Sequence, residues 1–247
     1  MNDDRLARFR SLHERGMFLM PNPWDVGSAT MLAERGFPAL ATTSAGFAWA
    51  LGKQDQQVTF DELLTHAEAL AAAVDVPLNV DAERCYADDL AGVARTVELL
   101  AATGAAGCSI EDYDPATKAI DERAKAVDRV AAAAQSAHEH GIVLTARAEN
   151  VLYGLGDLDD TIARLCAYRD AGAEVLYAPG LVDIAQIALV VREVGRPINV
   201  LRMPGAPSLP DLAATGVRRI STGGSLAKAA YATLRAGASE MLAAMPT

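Results

Sequence analysis

Eight short apolar runs of β type recur along the chain, and a helix-patterned segment separates each from the next. They are FLMPN at 18–22, ALATTSAG at 39–46, LNVDAE at 78–83, GCSIED at 107–112, IVLTARAE at 142–149, EVLYAPG at 174–180, INVLRMPG at 198–205 and RRISTGG at 218–224. The intervening segments carry helical periodicity. In DDLAGVARTVELLAATG, for example, Leu90, Val93, Ala94, Val97 and Leu100 fall on one helical face. Several helices stop at a glycine in a recurring phrase, as in AERGFPAL, AATGAAGCSI, RDAGAEVLY and AATGVRRIS. Glycine accepts the left-handed conformation that ends a helix, and the apolar run after it enters the next strand. Strict alternation of strand and helix requires parallel pairing, and eight units in 247 residues predict an α/β fold, a single (β/α)8 TIM barrel domain over residues 1–247. An open doubly wound sheet is the rival architecture, but the first βα turn carries no GxGxxG.

Composition then removes whole classes of function. The chain has 22 Lys and Arg against 32 Asp and Glu, a formal charge of −10, and no basic block. Phosphate attraction supplies most sequence-independent affinity for nucleic acid, so no nucleic-acid partner is expected. No apolar run reaches the roughly 18 to 20 residues needed to cross a bilayer, and the opening MNDDRLARFRSLHERG is charged throughout. The expectation is a cytoplasmic protein with no membrane partner. Cys85, Cys108 and Cys166 are few and far apart, which predicts reduced thiols rather than a disulfide framework or a zinc cage.

In a barrel of this kind the chemistry sits at the C-terminal ends of the strands. The polar residues there are Asn22; Thr42, Thr43 and Ser44; Asp81 and Glu83; Glu111 and Asp112; Arg147 and Glu149; Tyr177; Asn199 and Arg202; Ser221 and Thr222. Asp81 and Glu83 are two apart on one strand and share a face, and Glu111 ends the next strand. Three converging carboxylates resist ionisation unless a cation joins them, and a hard divalent ion such as Mg2+ suits them directly or through its waters. Arg147 adds a planar donor matched to a substrate carboxylate. The bland alternative has these acids capping helices or pairing with Arg84 and Arg147.

Other chemistries find less support. His13, His66, His138 and His140 fall in helical segments, no lysine ends a strand, and Ser44 belongs to no GxSxG. The STGGS run at 221–225 is a phosphate cradle only as one reading, because glycine-rich turns also serve conformation alone.

Taken in order, NPWDVGSATMLAERGFPAL, TTSAGFAWALGKQD, VDAE, GCSIED, TARAEN, EVLYAPG and PINVLRMPGAPS resemble the isocitrate lyase/phosphoenolpyruvate mutase superfamily over nearly the whole chain. The resemblance implies a Mg2+ cofactor, with Mn2+ able to stand in for it. It also implies a small carboxylic-acid substrate and a homo-oligomer, dimer or tetramer, with the C-terminal helix exchanged between subunits. Position by position, it makes Ser44, Ala45 and Gly46 the turn that binds the oxo-acid end, and Trp24 the aromatic near the pocket. Asp81 becomes the principal metal-linked carboxylate, with Glu83 and Glu111 as companions. Arg147 and Asn199 become substrate contacts, and Asp55, Arg147 and Glu111 the catalytic set.

Two departures carry weight. Lyases of this family have a KKCGH-like loop after the fourth strand, where this chain has YDPATKAIDERAKAVD with Lys118 as a positional candidate. The glycines expected after the metal carboxylates are replaced by Arg84, Cys85 and Ala87, and the bulk of Arg84 is expected to narrow or cover the pocket. Retro-aldol cleavage needs a base for the hydroxyl proton, whereas decarboxylation needs only a stabilised enolate. The expected activity is therefore a Mg2+-dependent C–C bond lyase acting on a 2-oxo or 2-hydroxy dicarboxylic acid through a pyruvate-type enolate, decarboxylase-like ahead of methylisocitrate lyase-like. The alternatives are a phosphonopyruvate P–C mutase or hydrolase, and a metabolite-binding barrel without catalysis.

Overall fold

The computed structural model describes residues 2–245. Its strands are β1 (Phe18–Met20), β2 (Leu40–Ala41), β3 (Leu78–Asp81), β4 (Gly107–Glu111), a small pair β5 (Tyr113–Asp114) and β6 (Ala119–Ile120), then β7 (Val143–Arg147), β8 (Val175–Tyr177), β9 (Ile198–Leu201) and β10 (Arg219–Ser221). Apart from the antiparallel β5–β6 hairpin, they form one eight-stranded parallel sheet in the order β1-β10-β9-β8-β7-β4-β3-β2. The seam between β1 and β2 closes at the top. There the Ala41 N–H donates to the Pro21 carbonyl at 3.1 Å, and Asn22 Nδ2 donates to the Thr42 carbonyl at 2.7 Å. Asn22 Oδ1 accepts from the backbone N–H groups of Thr222 and Gly223 at 2.8 and 2.9 Å, so one side chain ties the first, second and last barrel strands together.

Eleven helices are described: α1 (Asn2–Leu12), α2 (Val26–Glu34), α3 (Ser44–Ala50), α4 (Phe60–Ala73), α5 (Leu90–Ala102), α6 (Arg123–Glu139), α7 (Asn150–Tyr153), α8 (Leu158–Asp170), α9 (Ile184–Val194), α10 (Leu209–Ala214) and α11 (Ser225–Ala243). Side-chain oxygens of Asp25, Thr59, Asp89, Asp157, Asp183 and Ser208 cap the N-termini of α2, α4, α5, α8, α9 and α10, satisfying N–H groups that the helices leave free.

The all-β alternation of two explains what faces where. Along β7, Leu144 and Ala146 join the apolar layer between sheet and helices, while Val143, Thr145 and Arg147 point into the barrel. The same parity puts Leu78 and Val80, Cys108 and Ile110, and Ile198 and Val200 in the outer layer. The barrel floor is apolar. Phe9 of α1 is fully buried there among Phe18, Met20, Ala41, Val143 and Val175, and Gly107 makes room for it. A Cβ at residue 107 would lie 2.8 Å from Phe9 Cε1 and 2.8 Å from the Val143 carbonyl.

Each strand ends earlier than the apolar run that announced it. The polar tails, such as Ala82–Glu83 after β3 and Ala148–Glu149 after β7, leave the ladder to form the βα loops. The turn after β3 is strained: Glu83, Cys85 and Tyr86 have φ of +47°, +60° and +48°, in the region that favours glycine. No described helix is long and apolar enough to cross a membrane.

Candidate active site

A cavity of about 160 Å³ opens at the C-terminal end of the barrel. Its wall includes Ser44, Asp55, Asp81, Arg147, Tyr177 and Asn199. A void of this order accommodates a molecule of roughly benzene size, which suits a small organic acid.

Arg147 organises the site. Its Nη1 donates to Asp81 Oδ1 at 2.8 Å and its Nε to Glu149 Oε1 at 2.7 Å, while Nη2 lies 3.2 Å from Glu111 Oε2. The register accounts for part of this, because Arg147 of β7 stands opposite Glu111 of β4 in the ladder. The guanidinium also sits 5.3 Å from the Tyr177 ring centroid, a cation–π distance. Burial alone would discharge this arginine, but Glu149, Asp81 and Glu111 outweigh it and hold its pKa well above the usual value. With N–H groups given to Glu149 and Asp81, other Nη hydrogens remain for a substrate oxygen.

The carboxylates around it are unequal. Asp81 accepts from the Ser44 N–H at 3.2 Å and from Ser109 Oγ at 3.3 Å in addition to Arg147. Glu111 is buried and accepts from Gln56 Nε2 at 3.0 Å; burial pushes its pKa well up against the pull of Arg147. Burial also raises Glu83 to about 8, helped by the charges of Asp81 and Asp55, and Glu83 Oε1 is buried without a hydrogen-bond partner. Asp55 is raised by burial and then by Asp81. Behind Glu149, Asp112 accepts the Glu149 N–H at 2.8 Å and the Tyr168 hydroxyl at 2.5 Å, and pairs with Arg164 at 3.2 Å, which fixes the start of α7.

The structure brings most of the anticipated residues together, with differences that have clear causes. Asp55, Asp81, Arg147, Asn199, Ser44 and Ala45 line the cavity. Glu83 and Glu111 stand behind that wall, linked to it through Asp81 and Arg147. Residues 44–46, the turn expected to bind the oxo-acid end, form the first turn of α3, capped by Thr43, with the Ser44 N–H already given to Asp81. Gly46 and Trp24 are packed against each other instead of facing the cavity, since a Cβ at residue 46 would fall 3.0 Å from Trp24 Cβ. Arg84, expected over the pocket, points away and pairs with Asp121. Lys118 is exposed at the turn of the β5–β6 hairpin, outside the cavity. Among the described residues no three His, Cys, Asp or Glu side chains are spaced to ligate one ion jointly. Sequence reading passed over Gln56, Thr145 and Arg219 as site residues and gave Glu149 no role; the parity of β7 and β10, two residues before Arg147 and Ser221, was the signal for Thr145 and Arg219.

Residues 9–242 match the family model described as phosphoenolpyruvate phosphomutase. A lyase/mutase candidate from Burkholderia cenocepacia J2315, known as a crystal structure, superposes with a TM-score of 0.94 at 48% identity, covering 97% of this chain and 89% of that one. The 2-methylisocitrate lyase of Escherichia coli (strain K12) is 33% identical over 189 residues, 72% of this chain and 63% of that enzyme. The oxaloacetate decarboxylase of Rhodopseudomonas palustris (strain TIE-1) is 29% identical over 204 residues, 79% of this chain and 70% of that enzyme.

Proposed function

Because the chain belongs to the phosphoenolpyruvate phosphomutase family, within the isocitrate lyase/PEP mutase superfamily of lyases and mutases, we propose that it is a Mg2+-dependent carbon–carbon bond lyase for a small 2-oxo or 2-hydroxy dicarboxylic acid. One observation carries this reading. A permanently charged arginine, gripped by Asp81, Glu111 and Glu149, stands beside Asp81 on the wall of a cavity sized for such an acid.

The residues fit a hard divalent ion in a particular way. All donors are oxygens, and the unpartnered Glu83 Oε1 is the kind of acceptor that a cation's water satisfies. Asp81 would hold the ion directly, with Glu83 and Glu111 reaching it through water, since the three are not spaced for joint ligation. Bound there, Mg2+ would supply positive charge against which an enolate forms.

The chain's own groups do the rest. Arg147 takes a substrate carboxylate with its remaining Nη hydrogens and orients the 2-oxo acid. Asn199 and Ser44 contact the other end of the substrate. In decarboxylation the bond to the departing carboxyl carbon breaks, carbon dioxide leaves, and the electron pair becomes the enolate. Asp55, whose pKa burial raises, stands on the same wall, placed to pass a proton to the enolate carbon. Retro-aldol cleavage would ask for a further base, and the thiols do not offer one: Cys85 is pushed up to about 12 by burial, and none of Cys85, Cys108 and Cys166 lines the cavity. Decarboxylation of an oxaloacetate-like acid is accordingly the preferred chemistry.

The exposed apolar face of α11, including Leu234, Met241 and Leu242, supports a homo-oligomer in which this helix packs on a neighbouring subunit. The functional reading is tested by calorimetry with oxalate, a planar mimic of the pyruvate enolate, with and without Mg2+, followed by turnover assays. Mg2+-dependent binding that Asp81→Ala abolishes, together with turnover of oxaloacetate or a methylisocitrate-type acid, is the expected result. Cleavage of phosphonopyruvate without turnover of those acids would replace it with the P–C reaction, and absence of oxalate binding under both conditions would replace it with a non-catalytic barrel.

A further inference from the structure

Arg219 lies inside the barrel on β10, two residues before Ser221, and is 2% exposed. A guanidinium taken out of water ordinarily faces a carboxylate, because an unpaired buried charge is costly. Here the partners are neutral. Nε–H donates to Asn199 Oδ1 at 2.9 Å, Nη2 donates to Thr145 Oγ1 at 2.9 Å, and Nη1 approaches His13 Nε2 at 3.4 Å. His13 Nδ1 lies 2.8 Å from the Phe9 carbonyl, which assigns the proton to Nδ1 and leaves Nε2 as the acceptor. Burial and the Arg219 charge lower His13 to about 3, so the imidazole is neutral and adds no competing charge. Burial lowers Arg219 itself to about 9, with Tyr177 as the counteracting group, which keeps it cationic at neutral pH.

This buried cation borders the cavity together with Thr145, Asn199 and Asn79, and Asn79 Oδ1 is buried there without a partner. Asn199 is equally enclosed, at 2% exposure, and its Nδ2 donates to Ser221 Oγ at 2.9 Å. A carboxamide fits such a pocket either way round. Arg219 is a donor only, so it accepts just one orientation: the amide oxygen toward itself and the NH2 away from it.

We propose that Arg219 is a positioning residue of the substrate pocket: it fixes the Asn199 carboxamide with its NH2 toward Ser221 and the cavity, and its unneutralised charge behind that amide favours a carboxylate there over a neutral group. The inference rests on the reading of this cavity as a carboxylic-acid site. It extends that reading by assigning part of the carboxylate recognition in this cavity to the β9–β10 side of the barrel, through Asn199 and Arg219.

The test is oxalate calorimetry at saturating Mg2+ on the wild-type chain, Arg219→Met, Arg219→Lys, Asn199→Ala and the Arg219→Met/Asn199→Ala double variant. Arg219→Met is expected to weaken oxalate by about tenfold or more, and Arg219→Lys by less, because it returns the charge without the fork. In the Asn199→Ala background, Arg219→Met is expected to cost only about twofold further, the non-additivity of residues acting as one unit. Mg2+ affinity measured without oxalate stays within about twofold of wild type in every variant, a readout that general loss of structure would not spare. Wild-type oxalate affinity in Arg219→Met, or a full second loss in the Asn199→Ala background, overturns this inference and leaves the functional reading standing. Absence of oxalate binding to the wild-type chain overturns both. Arg219→Gln, which keeps a donor and removes the charge, carries the same comparison if Arg219→Met fails to fold.

Discussion

Arg84 turns away from the cavity and forms a two-bonded ion pair with Asp121, Nε to Oδ2 at 2.9 Å and Nη2 to Oδ1 at 3.2 Å. The pair joins the strained turn after β3 to the end of the β5–β6 hairpin, and Lys125 adds a third contact to Asp121 at 2.9 Å. Burial works against the Asp121 carboxylate, but Arg84 and Lys125 together hold its pKa below the usual range. The residue whose bulk threatened to close the pocket instead braces the loop beside it.

Removing Arg84 leaves Asp121 buried with weaker compensation. Arg84→Ala should destabilise the fold by about 2 kcal/mol, below the full cost of breaking a wholly buried pair because Lys125 remains. Urea unfolding measures this. Oxalate affinity should stay within about threefold of wild type, since Arg84 does not line the cavity. A large gain in affinity would show that Arg84 covers the site after all.

Arg147→Lys keeps one positive charge and loses the planar fork. A lysine ammonium cannot reach Asp81, Glu111 and Glu149 as the guanidinium does, so two buried carboxylates lose a partner and the substrate loses its bidentate donor. The expected fall in kcat/KM on the preferred 2-oxo acid is about a hundredfold or more, near 2.7 kcal/mol of transition-state stabilisation. Steady-state kinetics that showed a raised KM with unchanged kcat would reduce Arg147 to a binding group.

Lys118 has φ of +54° in an exposed hairpin turn, where an L side chain is strained and glycine is not. Lys118→Gly should raise stability by up to about 1 kcal/mol, the relief of strain being partly offset by the greater freedom of glycine in the unfolded chain. Turnover should be unchanged, because the side chain stands outside the cavity. Lost activity with a normal melting curve would make Lys118 part of a closing loop.

His66 supplies a pH signature. Its ring stacks on Phe47 at 3.7 Å, and its Nε2 is buried without a partner. Burial lowers its pKa from 6.5 to about 4, opposed by the charge of Asp25. The unfolded chain therefore takes up the proton first as the pH falls. The contribution to stability is complete above pH 6.5 and is lost progressively toward pH 4, up to roughly 3 kcal/mol. His66→Leu should remove this part of the pH dependence of the urea midpoint, read as the difference from wild type, because Glu83, raised to about 8, acts with the opposite sign over much of the same interval. His13, lowered to about 3, acts with the same sign as His66 and leaves a residual slope.

The barrel was legible because its signals are local. Period-two alternation, helix faces and helix-ending glycines need no knowledge of distant residues, and they located all eight parallel strands and the polar residues at their ends. Asp81 and Arg147 could be singled out for the same reason: each closes an apolar run at the end of a strand where barrels place their chemistry.

Which side chains meet depends on packing between distant segments. The ladder register that sets Glu111 opposite Arg147 joins strands more than thirty residues apart, and no local pattern encodes it. Backbone direction is equally hidden: a left-handed turn at Glu83, Cys85 and Tyr86 sends Arg84 to Asp121 instead of into the cavity. The barrel and the residues at its rim are written in the local pattern of the chain, because hydrophobic periodicity acts between near neighbours. The fold alone made Arg147 the hub of three carboxylates and gave Arg219 only neutral partners, because burial and partner choice depend on packing between strands that the chain brings together from far apart.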